Sequence, residues 1–328
     1  MFITSFGEQN ITYKCCSNFL IHLSVGLVED YGFSYSSYKF LTFNVGYWGS
    51  FGVDIFFIIS GYIMFMIQDK KNKSPFEFAI DRIKRIVPLY WLYLITISLL
   101  FYILPDLFRA LNVTPEYLLT SLFFISHYFN YNYPVIYVGW TLELEMLFYF
   151  IFFIIIFFKK IDAKIKIFIM LLIFIFLSFY QNTNLIIFEF IFGGFIYLFL
   201  SSLKIKNNNF FWIPIIFSII FVSLLNKEYE NLRLIFWGIP ALIIFYSTLH
   251  IKEINNKIFI ELGNASYSIY LIQVFTLPLV GKVLAKYAAN THGILVFIIM
   301  VLFSIIIGYL SYLIIEKKLI SLSNKIVK

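Results

Sequence analysis

The chain has 328 residues and a net charge of +7; 61% of its residues are hydrophobic and only 13% are charged, against about 25% charged in an ordinary soluble protein. A mean hydropathy of +0.87, with apolar runs near the roughly 20 residues that cross a bilayer, argues against a soluble fold. Since no polar stretch is long enough for a separate domain, residues 1–328 read as a single all-α integral-membrane domain, a polytopic bundle of about ten transmembrane helices.

The predicted spans fall near 10–28, 50–68, 84–104, 138–158, 164–181, 185–203, 210–226, 233–250, 266–286 and 294–315. The first is the least apolar. Its opening residues lack a basic leader region, so no cleavable signal peptide is expected, and the adjacent Cys15 and Cys16 suit neither a disulfide framework nor a metal site. The segment 115–131 is short and bracketed by Pro115 and Pro134, which predicts an interfacial or re-entrant piece rather than another span. On this division nineteen of the twenty-five Lys and Arg fall on one side and six on the other. The positive-inside rule makes the nineteen-charge side cytoplasmic, with both termini inside. The basic excess is then explained by topology and anionic lipid, and nucleic acid is not an expected partner.

Within this frame four polar residues stand out. Residues 52–64 read GVDIFFIISGYIM, placing Asp54 in an apolar segment where an ionised carboxylate at mid-bilayer costs about 2.5–3.5 kcal/mol or more. Counting about 1.5 Å per residue from the hydropathy edges puts His22 roughly 9 Å, Asp54 roughly 6 Å and Glu145 roughly 10 Å below the outer face, with Glu189 near the depth of Asp54. One imidazole and three carboxylates would share the outer half of the membrane. A carboxylate that orients an imidazole makes it a general base for a hydroxyl, whereas an interfacial histidine can equally be a hydrogen-bonded structural residue. Glu143 and Glu145 are two apart and cannot share a helix face, so only one can enter such a cavity.

Several other features carry two readings. Ser60-Gly61 and Gly193-Gly194 suit a close helix crossing or the approach of a ligand. Asn264, Ser266 and Ser268 suit a helix start or a substrate contact. Residues 81–91 read DRIKRIVPLYW; Arg82 and Arg85 share a helix face and could clamp phosphates, or could anchor the chain at the interface beside Tyr90 and Trp91.

Together these segments resemble the acyltransferase-3 family of membrane-bound bacterial acyltransferases, particularly members that O-acetylate exopolysaccharides and lipopolysaccharides. The resemblance is carried by 52–64, by the arginine, Ile, Pro, Tyr and Trp positions of 81–91, and by GWTLELEMLFY at 139–149. Weaker matches follow at Glu189, Phe190 and Gly193, and in LGNASYSIYL at 262–271. The resemblance implies transfer of an acyl group, commonly acetyl from acetyl-CoA, to a hydroxyl of a surface glycan or its lipid-linked precursor at the inner (plasma) membrane. It assigns Arg82 and Arg85 to the CoA phosphates, Asp54 and Glu145 to the acidic residues tied to activity, and His22 to the first-span histidine. His22, Asp54 and Glu145 are thus the candidate catalytic residues; Glu189, Trp140 and Ser60 are candidate acceptor contacts. Acyl-CoA, the glycan acceptor and membrane lipids are the expected partners, and no metal site is expected.

Two positions depart from the family pattern. The arginine expected about eleven residues before His22 is replaced by Ile11, which suggests that the first twenty or so residues are a misassigned start or a frameshifted end. Gln273 stands where family members often carry His, and glutamine cannot act as a base near neutral pH. The rivals to acyl transfer are a glycan or lipid transporter or flippase and an inactive acyltransferase-like protein.

Overall fold

The computed structural model describes residues 27–28, 30–33, 39–105, 113–181, 185–200, 209–225, 232–252 and 256–326, with the backbone alone at 39–50. His22, Cys15, Cys16 and most of the first predicted span lie outside the described residues. Every regular element among the described residues is helical: α1 (Lys39–Lys71), α2 (Pro75–Ile103), α3 (Pro115–Leu122), α4 (Trp140–Ile156), α5 (Ala163–Gln181), α6 (Phe188–Phe195), α7 (Trp212–Ser223), α8 (Ile239–Thr248), α9 (Lys257–Asn264), α10 (Ser266–Tyr287), α11 (Gly293–Ser311) and α12 (Lys317–Ile326). One-turn π segments follow α6 (Ile196–Leu200), precede α8 (Leu234–Gly238) and join α11 to α12 (Tyr312–Glu316).

From the second onward, each predicted span falls on a described helix, and six stretches are long and apolar enough to cross a membrane. The chain is a polytopic membrane bundle. Leu185–Leu200, Asn209–Ser223 and Leu234–Thr248 are shorter than the other six, about 22–24 Å at 1.5 Å per residue. Segment 115–131 holds α3 and the 3-10 turn Ser126–Phe129, both too short to cross.

Hydropathy misjudges the start of α2 by nine residues, because it registers only the apolar part. The helix begins where Ser74 and Glu77 form a reciprocal capping box with Pro75 in the first turn. Asp81, Arg82, Lys84 and Arg85 are therefore helical. The capping arrangement was present in the sequence, four to eleven residues before the charges it positions.

In lipid, helices gain little from hydrophobic burial against one another and associate through close packing at small residues. That is how α1 meets α6. A Cβ on Gly61 would collide with the Phe190 main chain, and one on Gly193 with the Ile58 carbonyl. The crossing is tightened by rings: Phe57 lies 4.6 Å from Phe190, which stacks on Phe148 of α4 at 4.1 Å and 10°. All three are fully buried. Gly308 plays the same part between α11 and Ile269 of α10.

The ends that carry the basic residues also come together. Phe78 near the start of α2 packs on Phe152 near the end of α4. Tyr267 at the start of α10 donates to the Ile86 carbonyl at 2.8 Å, and Tyr197 donates to Asp69 near the end of α1 at 2.6 Å.

Candidate active site

A cleft of about 850 Å³, counted with its open mouth, runs between α1, α2, α4 and α10. Its apolar wall is the α1 face of Val53, Phe56, Ile59, Ile63 and Met64, continued by Ile86 and Leu142; its polar groups are Ser60, Arg82, Arg85, Thr141, Glu145, Tyr149, Ser266, Tyr267 and Tyr270. From Gly52 to Met64 the wall spans twelve helical residues, about 18 Å.

Glu145 is the buried carboxylate of this cleft. It accepts a hydrogen bond from Ser60 Oγ at 3.4 Å and a short one from the Tyr149 hydroxyl. Glu145 and Tyr149 are four apart, one helical turn on the same face. Tyr149 sits inside the third motif, and its spacing from Glu145 was a signal the sequence offered. Arg82 and Arg85 both act electrostatically on Glu145, and the Arg82 guanidinium lies 5.9 Å from the centre of the Tyr149 ring. Arg82 is half-buried and Arg85 exposed. Among the described residues neither arginine is held in a salt bridge, and Arg82 Nε is buried without an acceptor. A cation kept near a carboxylate yet left with free donors is suited to a ligand anion.

Glu143 faces elsewhere, as its spacing from Glu145 requires. Its carboxylate accepts from the backbone N–H groups of Ser126 at 3.0 Å and His127 at 3.4 Å, capping the 3-10 turn. The small-residue crossing of α1 with α6 accounts for Gly61 and Gly193, while Ser60 turns into the cleft. Ser266 also lines the cleft, whereas Ser268 donates to the buried Glu316 at 2.5 Å. Trp140 is half-buried at the start of α4 and packs against the main core; its neighbours Thr141 and Leu142 form the cleft wall in its stead.

Asp54 has a different setting. It is fully buried and does not line the cleft. Arg233, just before the π segment Leu234–Gly238, grips it with both ends of the guanidinium, Nε to Oδ1 at 3.1 Å and a terminal N–H to Oδ2 at 2.6 Å. Glu189 completes the cluster: it is fully buried, lies in the field of both Asp54 and Arg233, and is approached by Gly238, where a Cβ would stand 3.1 Å from Oε1. Among the described residues no N–H or hydroxyl donor reaches either Glu189 oxygen, and its side-chain hydrogen-bonding neighbour is the Asp54 carboxyl. The pairing joins residues 179 positions apart; a single arginine opening an apolar stretch was its only trace in the sequence.

The predicted outer band of Asp54, Glu145 and Glu189 therefore separates into two levels. Glu145 meets α1 at Ser60, six residues or about 9 Å along the helix from Asp54. Counting from a hydropathy edge fixes position along one helix, but side-chain packing sets the offset between helices. Glu145 consequently stands with the arginines, and Asp54 with Glu189.

The family model described as an acyltransferase domain matches residues 19–313, nearly the whole chain. The chain belongs to the acyltransferase-3 family. The match to that family includes the cleft, the Asp54 cluster and His22. A curated relative, the exopolysaccharide production protein ExoZ of Rhizobium meliloti (strain 1021), is 47% identical over 107 residues, 32% of this chain. The match spans 33% of the length of that relative. No solved structure matches the chain.

Proposed function

We propose that this acyltransferase moves an acyl group, in the first instance acetyl from acetyl-CoA, to a hydroxyl of a surface polysaccharide or its lipid-linked precursor, and that it does so in the inner membrane with both termini cytoplasmic. The observation that carries the reading is the cleft. It combines Arg82 and Arg85, neither held in a salt bridge among the described residues, with an apolar wall about 18 Å long and the buried carboxylate of Glu145. An acyl-CoA needs two of these: cations for its phosphates, and a channel for the arm that carries the thioester. Membership of an acyltransferase family and a partial relative named for exopolysaccharide production support the same class of reaction. A transporter or flippase would have no need of an acyl donor.

In the proposed reaction the acceptor hydroxyl oxygen adds to the thioester carbonyl while its proton passes to a base, for which His22 is the candidate. The C–S bond then breaks, the CoA sulfur leaves with the proton, and the new C–O bond remains as an ester. Glu145, Arg82 and Arg85 act at the donor. Asp54, closed off by Arg233, is proposed as a positioning residue that fixes α1 against the segment around Glu189; Glu189 and Trp140 remain proposed acceptor-side residues, and Ser60 joins Glu145. Mass spectrometry of surface polysaccharide from strains with and without the gene tests this function. One added acetyl group that depends on the gene is the expected result, and identical acyl content in the two strains would overturn it.

A further inference from the structure

A second cavity, about 880 Å³ with its open mouth, lies on the other side of α1 from the cleft, where the ends of α1 and α4 meet the start of α5 and the π segment Ile196–Leu200. Its floor is apolar, formed by Phe65, Phe152, Ile155, Ile156 and Leu198. Its rim is polar, with Gln68, Asp69, Asn72 and Lys166. Asp69 is already an acceptor for Tyr197. Gln68 donates through Nε2 to the Lys73 carbonyl at 3.1 Å, but its Oε1 is buried with no donor among the described residues.

Among the described residues Lys166 is the one cation in the lining, with Asp69 as the one carboxylate and Asp162 close enough to act on Lys166; the basic excess lies in the flanking segments. The segments that frame it carry six lysines, at positions 70, 71, 159, 160, 164 and 166, against the two carboxylates of Asp69 and Asp162. A basic pocket between transmembrane helices is the geometry that receives an anionic lipid headgroup, with the helix faces below it accepting the acyl chain. The adjoining π segment inserts an extra residue into α6's continuation, an irregularity frequent at ligand sites. None of these residues belongs to the acyl-donor cleft.

We infer that this cavity is a binding site for an anionic phospholipid, its phosphate at Lys166 and one acyl chain along Phe65, Phe152 and Leu198. The site stands independently of the acyl-transfer reading, and it ends at the short turn 72–74 between α1 and α2, where Lys73 reaches across to Asp81 of α2, one residue before Arg82. Lipid bound there would brace the turn that precedes the donor arginines.

Native mass spectrometry of the full chain in mild detergent tests the site, with phosphatidylglycerol as probe, phosphatidylcholine as the neutral control and inorganic phosphate as competitor. Phosphatidylglycerol should bind in preference to phosphatidylcholine and resist displacement by phosphate. Lys166→Gln should weaken it about fivefold, the effect of one lysine near anionic lipid, and Leu198→Trp, which fills the floor, should weaken both lipids. Lys166→Gln keeps a polar side chain at a partly exposed position and serves if Leu198→Trp fails to fold. Equal binding of the two lipids, displacement by inorganic phosphate, or wild-type phosphatidylglycerol affinity in Lys166→Gln would each overturn the proposal.

Discussion

Asp54 and Glu145 look alike in the sequence, each a carboxylate in an apolar segment that matches the family. The structure gives them opposite settings. Glu145 opens onto a cleft beside arginines that have donors to spare, whereas Asp54 is sealed in a two-point ion pair with Arg233. A charge in a membrane protein can thus be retained for what it presents to a ligand or for what it holds within the bundle. Which of these applies depends on the partner, and the partner of Asp54 comes from a helix far along the chain.

The comparison can be broken most decisively at Arg233. Arg233→Ala leaves the Asp54 carboxylate buried without its counter-ion, a loss of about 3–5 kcal/mol. Thermal unfolding in detergent should show the drop, and adding Asp54→Ala should restore part of it because the orphaned charge is gone. If the double variant is no better than the single, Asp54 and Arg233 do not act as a pair. Next in size, Glu145→Gln is expected to lower acyl transfer by about a hundredfold through misplacement of the arginines and the donor they hold, while leaving the melting temperature close to wild type. This is the reverse of the Arg233 pattern.

Gly61→Ala drives a methyl group into the Phe190 main chain, and overpacking of this kind costs about 1–3 kcal/mol. The yield of folded protein from membranes should fall in proportion. A wild-type yield and melting temperature would mean that α1 and α6 can separate without loss. The smallest effect belongs to Arg85→Ala, which should raise the KM for acetyl-CoA about tenfold through loss of one charge-assisted contact and leave kcat nearly intact. A fall in kcat alone would remove Arg85 from donor binding.

Much of this division was foreshadowed by the sequence. Apolar length located the spans from 50 onward, and the spacing of Glu143 and Glu145 showed that they could not share a cavity. Arg82 and Arg85 could be placed on one helical face. Two things stayed hidden for a physical reason. Hydropathy records how apolar a helix is but says nothing of its offset along a neighbour, so Asp54 and Glu145 seemed to share one outer band. Nor does local pattern disclose which cation, 179 residues away, meets a buried carboxylate. The capping box at Ser74 and the one-turn spacing of Glu145 and Tyr149 were local signals, legible in principle.

The central claim is that Glu145 and its cleft serve acyl transfer. It is tested most directly by reconstituting wild type and Glu145→Gln in lipid at matched folded amounts. Labelled acetyl-CoA is supplied together with polysaccharide from a strain lacking the gene, and label in the polysaccharide is counted. Steady incorporation by wild type, with a drop of about a hundredfold in the variant, is the predicted result. Incorporation by Glu145→Gln at the wild-type rate would contradict the account.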